Sequence, residues 1–363
     1  MTNCINEALP EEVFGVIFEE HAKLEWKAPL IDEQVCRQWR QTILRSPRAW
    51  AHLRIGQKFK KAPLKLHQWL DRSGSAPLHI QATEWTQRIE EALDQHCNRI
   101  QSISLDHDSL DFFENLPFPV LHSLSIAGWS LSSRTSVRAY GAMPALHSLQ
   151  ASKISIEALP SNIFPPLKVL ALTAVDGCDY IIRNSYHSLT SLILDRLSLQ
   201  YTSESLVFPS LKFLSLHIVK NLKHRMNVPA LTTYHESERM EGESFPTSLP
   251  SLIEYGIYRL DDPSPFIVTK LHQCYPNISR LSVCARPSNV KPFLHSLSGQ
   301  PTALPMLRIL AVDVVYDSME YSGEDKDSMM KDVFVRNMAS SVKMELCFDG
   351  RVRFPLYFGA VWV

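Results

Sequence analysis

Beyond residue 100, apolar positions recur in a short phrase, Pro-x-Leu-x-x-Leu-x-Leu with substitutions. It reads PVLHSLSI from 119, PALHSLQA from 144, PPLKVLAL from 165, HSLTSLIL from 187 and PSLKFLSL from 209. PALTTYHE from 229, PSLIEYGI from 250, PNISRLSV from 276 and PMLRILAV from 305 continue it. A leading copy without proline has Ile100, Ile103 and Leu105. Counted from the first apolar residue of a copy, the fourth and sixth positions point the same way, as on a strand with one buried face. Pro opens most copies, and a strand tolerates Pro at its start because no ladder donor is needed there. Before residue 100 the period changes to that of helices. Val13, Phe14, Ile17 and Phe18 form one helical stripe, Val35, Cys36, Trp39, Ile43 and Leu44 a second, and Pro29 and Pro47 punctuate them. Leu66, Trp69 and Leu70 predict a helix over 62–72 with Gly74 as its left-handed terminator. Pro77, Leu78 and Ile80 read as a short strand, and Trp85, Ile89, Leu93 and His96 as one face of a helix over 86–96.

The first apolar positions of successive copies stand 20 to 29 residues apart, the period of leucine-rich repeats. Each unit has room for a strand and a return segment, and stacked units make the strands parallel. The ninth position of such repeats, often Asn or Cys, is apolar here at Trp129, Ile154, Val175, Leu197, Val219, Leu260 and Val315. Hydrophobic packing must then close the turns. Glu236 falls on an inward slot, so its copy is expected to be distorted or open to solvent. Return helices are expected over 265–274, capped by Ser264, and over 328–338, capped by Asp327. A last strand is expected through Met344, Leu346 and Phe348, and the tail RFPLYFGAVWV reads as a cap over the array. The expected fold class is therefore α/β. A small all-α bundle over 5–55 leads into a helical joint with a first strand over 56–99. An irregular leucine-rich-repeat solenoid of parallel strands with helical or extended returns fills 100–363.

Charge and composition narrow the function. The 37 basic and 38 acidic residues nearly cancel, whereas a nucleic-acid binder shows a basic stripe, so neither nucleic acid nor an anionic membrane is an expected partner. No apolar run is long enough to span a bilayer. The N-terminal stretch has neither the charged nor the apolar part of a signal peptide, which places the protein in the cytoplasm or nucleus. The 7 cysteines are scattered and odd in number, unlike a disulfide framework. Asn6 is a reasonable N-cap for the first helix, with Glu11 and Glu12 against its dipole.

LPEEVFGVIF, then APL, VCRQWR, SPRAW and LRI resemble the F-box pattern in the spelling common among fungal F-box proteins. WLDRSGSAPLHI is similar to the stretch just C-terminal to the F-box in many of them. The resemblance implies a helical bundle that binds the Skp-type adaptor of cullin-RING ubiquitin ligases, and through it a cullin. Leu9, Pro10, Val13, Ile17 and Phe18 would supply the first adaptor contacts, and Leu30, Val35, Cys36, Trp39 and Trp50 the later ones. Two places depart from the pattern. Gly15 lies inside a helix, at a cost of about 1 kcal/mol against Ala, and Asp32-Glu33 replaces residues that are usually small or polar, altering how the second segment is capped.

On the array, the third, fifth and seventh positions of each copy face away from the apolar side. Phe213, His217, His235, Tyr258 and Arg280 stand there as a candidate surface for a protein substrate, because aromatic and Arg side chains favour interfaces. Tyr201, Arg259 and Arg286 extend it. No metal-ligand spacing, phosphate loop, dinucleotide fingerprint or nucleophile elbow occurs, so neither a cofactor nor an enzymatic activity is expected. The expected function is substrate recognition in a Skp-cullin-F-box ligase, with a ligase-independent interaction scaffold as the alternative. The substrate itself is unknown.

Overall fold

The computed structural model describes residues 9–56, 63–83, 85–106, 117–128, 143–154, 164–198, 205–220, 226–237, 249–260, 266–299, 304–315 and 343–347. The chain divides into two compact units, Met1–Ser185 and Tyr186–Val363. Helices come first, and parallel strands make up most of the remainder.

In the first unit, helix α1 spans Glu11–Leu24 and has Pro10 at its cap position, so it starts later than an Asn6 cap would place it. Its first turn carries Glu11 and Glu12, which favour the helix dipole. Helix α2 is Ala28–Asp32, α3 is Arg37–Leu44, and a 3-10 turn covers Pro47–Trp50. Phe14, Phe18 and Trp39 pack as one aromatic group, with centroids 5.2–6.1 Å apart. Trp50 lies edge-on to Trp69 at 5.0 Å and donates its indole N–H to the Ile43 carbonyl at 2.9 Å. The Arg72 guanidinium covers the Trp50 ring at 4.3 Å, a cation–π contact that shields it from water.

Strands β1 (His52–Ile55), β2 (Leu78–Ala82), β3 (Ile100–Asp106), β4 (Ser123–Ala127), β5 (Ser148–Ser152) and β6 (Val169–Thr173) pair in sequence order, all parallel. The strand ladder therefore begins inside the stretch expected to be all-helical, and it runs on without a break at 55/56 or 99/100. Between the strands lie α4 (Pro63–Arg72), α5 (Gln87–Asp94) and, after β6, α6 (Asp179–Ser185). Gly74 ends α4 in the left-handed region at φ 50°, as its position in the sequence implies. Arg99 ties this corner together, donating to the Ala76 carbonyl at 2.9 Å, the Leu70 carbonyl at 3.1 Å and the Ser73 hydroxyl at 3.0 Å.

In the second unit, β7 (Ser191–Ser198), β9 (Phe213–Lys220), β11 (Thr233–Ser237), β12 (Glu254–Leu260), β13 (Arg280–Ala285), β14 (Ile309–Val314) and β15 (Lys343–Cys347) form a second parallel series in sequence order. Two short strands, β8 (Leu206–Val207) and β10 (Met226–Asn227), pair with each other outside it. Helix α7 (Phe266–Cys274) precedes β13, and α8 (Pro287–Gly299) precedes β14. The expected Ser264 cap, the helix over 328–338, Phe348, the tail, Trp129 and Tyr201 lie outside the described residues.

The repeat phrase explains both series. The first apolar residue of every copy is buried, from Ile100 through Leu121, Leu146, Leu167, Leu189, Leu211, Leu231, Leu252 and Ile278 to Leu307. Each buried side chain of this size contributes about 1.5–3 kcal/mol before entropy is counted. Ninth-position residues Ile154, Val175, Leu197, Val219 and Leu260 are buried too, while Val315 is exposed. Just before four of them stand Lys153, Ala174, Arg196 and Ile218, each at φ 50–54°. In these four repeats one left-handed residue re-aims the chain at the strand's end so that the next apolar side chain enters the core.

Glu236 corrects the expectation of a distorted or open copy. β11 keeps its register with β9 and β12 through Glu236, whose side chain is buried. The Tyr234 hydroxyl donates to one carboxylate oxygen at 2.8 Å, and the Tyr255 hydroxyl donates to the other. A buried carboxylate is tolerated when its lone pairs are satisfied, and these tyrosines satisfy it.

Candidate docking surfaces

The first candidate lies on the helices of the first unit. On α1 the expected single stripe splits in two. Phe14, Phe18 and Ala22, at four-residue spacing, are buried against α3 and the 3-10 turn. Val13, Val16, Ile17 and Leu24 lie on the other side and are exposed, from 39% at Val13 to 88% at Leu24. Pro10 is exposed at the start of this line and Leu9 is half-buried. Ile31, Val35 and Leu44 are also exposed. Seven of the twelve large apolar residues exposed among the described residues fall between Val13 and Leu44, a concentration of the kind that marks interaction surfaces.

Of the adaptor contacts expected from the resemblance, Pro10, Val13, Ile17 and Val35 are therefore accessible. Leu9, Leu30, Cys36 and Trp39 are half-buried. Phe18 and Trp50 are corrected: both are 0% exposed, and they support the surface from beneath. Their aromatic bulk is what holds α1, α3 and α4 in place. The reading from sequence missed Val16, Leu24 and Ile31. Val16 was within reach, one residue from Ile17 on the same side of the helix.

The departures from the F-box pattern acquire structural roles. Helix α3 is capped by the Cys36 thiol, which accepts the Trp39 N–H at 3.4 Å, and not by the preceding acids. Asp32 is buried and meets His21 Nδ1 at 3.1 Å, joining α2 to α1. Glu33 lies 3.5 Å from Arg72 Nη1 on α4. Gly15 faces Ser46, and a Cβ built on it would stand 3.5 Å from the Ser46 hydroxyl oxygen.

The second candidate is the non-core face of the sheet in the second unit, where parallel register lines up the three positions as rows. Phe213, Thr233, Glu254 and Arg280 share the third-position row, Ser215, His235, Gly256 and Ser282 the fifth, and Asp195, His217, Ser237, Tyr258 and Cys284 the seventh. In the third and fifth rows His235 lies edge-on to Phe213 at 5.3 Å, with its Nε2 3.6 Å from Glu254 Oε1. Arg280 Nε is 3.6 Å from the same oxygen. His235 and Arg280 together hold the Glu254 carboxyl below its ordinary pKa. In the seventh row His217 Nδ1 meets Asp195 Oδ1 at 2.6 Å, and its ring lies edge-on to Tyr258 at 5.6 Å.

His235 is the correction here. It is 5% exposed, because its ring lies over Gly256, where a Cβ would come within 2.6 Å of its Cδ2. It stiffens the face from within, while Phe213, His217, Tyr258 and Arg280 remain partly accessible. Asp195 was overlooked in the sequence although it stands at the seventh position of its own copy. Among the described residues, no helix is long and apolar enough to cross a membrane.

No family model matches the chain, and no curated protein matches it in sequence. What the protein does must then be argued from its residues and their geometry.

Proposed function

We propose that the protein is the substrate-recognition subunit of a cullin-RING ubiquitin ligase of the Skp-cullin-F-box type. In this reading residues 5–55 are an F-box bundle that docks on the Skp-type adaptor. The parallel strands belong to a leucine-rich-repeat solenoid, whose polar and aromatic face in the second unit, at Phe213, His217, Tyr258 and Arg280, holds a protein substrate. The chain would contribute proximity, raising the effective concentration of substrate lysines near a ubiquitin-charged enzyme, and the chemistry would belong to other subunits.

The observation that carries the reading is the exposed line Val13, Val16, Ile17 and Leu24 on α1. Four aliphatic side chains in water on a helix whose other side is fully packed are best explained by an apolar partner. Copurification with a Skp-type adaptor tests it. Val13→Glu with Ile17→Glu should abolish binding while leaving the thermal midpoint within about 2 °C, since neither side chain is core. Equal binding by wild type and this double variant, or by neither, would sink the F-box reading. If the adaptor binds but deleting the helical head leaves substrate levels unchanged in cells, the chain is a ligase-independent scaffold.

A further inference from the structure

Arg45-Ser46-Pro47-Arg48, which runs from the end of α3 into the 3-10 turn, faces one line of α1. Arg45 Nη1 lies 3.7 Å from Glu11 Oε1, and Arg48 Nη1 lies 3.7 Å from Glu19 Oε2. Gly15 sits midway between these two acids at four-residue spacing, and it is the residue that faces the Ser46 hydroxyl. Two ion pairs thus bracket a close approach of a serine to bare helix backbone. Ser46 is half-buried and donates its hydroxyl to the Thr42 carbonyl at 2.8 Å, while Arg45, Pro47 and Arg48 are exposed. On the helical wheel the line Glu11, Gly15 and Glu19 runs on the opposite flank of the buried face from Val13, Ile17 and Leu24.

We propose that Ser46 is a phosphoacceptor for a proline-directed protein kinase, and that its phosphorylation releases α1 from this turn. A Ser-Pro step suits that kinase class, because proline alone brings no backbone N–H to the position after the acceptor, and Arg48 adds a cation just beyond. The Ser46 oxygen would bond to the γ-phosphorus of ATP as the bond to ADP breaks, and the hydroxyl proton would pass to the kinase's base. The product carries a charge near −1.5 to −2. It loses the hydrogen bond to Thr42, draws Arg45 and Arg48 away from Glu11 and Glu19, and leaves both carboxylates facing a dianion across Gly15. The ion pairs that now add to the apolar packing of α1 on the turn become repulsion. Gly15, costly inside a helix, leaves this approach free of a side chain. The further consequence, control of adaptor docking from the flank opposite the docking line, rests on the proposed F-box reading; the phosphorylation and the release do not.

The full chain is incubated with a proline-directed kinase and Mg-ATP, the product mapped by mass spectrometry, and unfolding followed by tryptophan fluorescence. A phosphate at Ser46, absent from Ser46→Ala, with the kinase lowering the midpoint by about 3 °C in the wild type and not in Ser46→Ala, is the expected result. The shift should shrink by at least half in Glu11→Gln with Glu19→Gln, where the repulsion is gone. No phosphate at Ser46 overturns the site, whether or not a peptide spanning residues 40–52 accepts one. Phosphate without a lower midpoint, or a shift that the double variant keeps in full, overturns the release. If release is seen but neither form of the chain binds adaptor, the docking reading fails and the switch stands.

Discussion

Gly15 and Glu236 both look like mistakes in the sequence, and in both cases one neighbour decides what they cost. At Gly15 the helix is unstrained and an added Cβ would make an ordinary contact with Ser46. Gly15→Ala should therefore raise stability by about 1 kcal/mol, seen as a higher urea midpoint at unchanged slope. A lower midpoint would show that the Ser46 approach is tighter than 3.5 Å suggests. Glu236 behaves in the opposite way. It accepts from two buried tyrosine hydroxyls, so Glu236→Ala leaves both without this acceptor and should cost about 3 kcal/mol. Tyr234→Phe removes a single donor and should cost about 1 kcal/mol. Equal losses for the two variants would mean that the carboxylate is not the hub of this cluster.

At the scale of the element, four strand ends carry a backbone cost that the side chain there cannot explain. Lys153, Ala174, Arg196 and Ile218 take the same left-handed conformation before a buried apolar residue. For an L-residue that conformation costs about 1 kcal/mol, and more for a β-branched one. Ile218 is 37% exposed, so little burial offsets it. Ile218→Gly should stabilise the second unit by about 1 kcal/mol, while Ile218→Val should not; thermal melts of the two variants separate these outcomes. Strand positions were legible beforehand because the phrase encodes both the buried anchor and the alternation. The left-handed residues were not, since Lys, Ala, Arg and Ile share no side-chain property. Nor could α1 be divided into core and surface from its own residues. Val13, Phe14, Ile17 and Phe18 are all apolar, and it is the position of Trp39 that draws Phe14 and Phe18 inward. His235 was misassigned for a similar reason: its burial depends on Gly256, a residue one strand away that contributes only by lacking a side chain.

For the whole molecule, the two units carry different titrating groups and should respond to acid in different windows. In the first unit His52 and His79 stack at 4.8 Å, in register on β1 and β2, and Glu19, Glu20 and Lys23 of α1 act on them electrostatically. Burial, then the neighbouring His79 and Lys23, push the His52 imidazole down from 6.5 to about 4. In the unfolded chain the same ring takes its proton near 6.5. Between these values the unfolded state binds more protons, so the first unit loses stability as pH falls from about 6.5 to about 4. In the second unit the Glu254 carboxyl lies below its ordinary value of 4.5 because His235 and Arg280 face it. Its contribution is intact above 4.5 and is lost only below that pH. Six of the seven tryptophans, Trp26, Trp39, Trp50, Trp69, Trp85 and Trp129, fall in the first unit, so fluorescence should follow its loosening in the higher window. Hydrogen exchange in β11, β12 and β13 should change only at lower pH. His52→Gln should reduce the fall between pH 6.5 and 4, with the remainder left to His79, His96 and His147, whose imidazoles burial also lowers, and should leave the exchange step in the second unit where it was. If fluorescence and exchange instead report one shared transition, or if His52→Gln leaves the higher window unchanged, the stacked histidines are not what makes the first unit sensitive to acid.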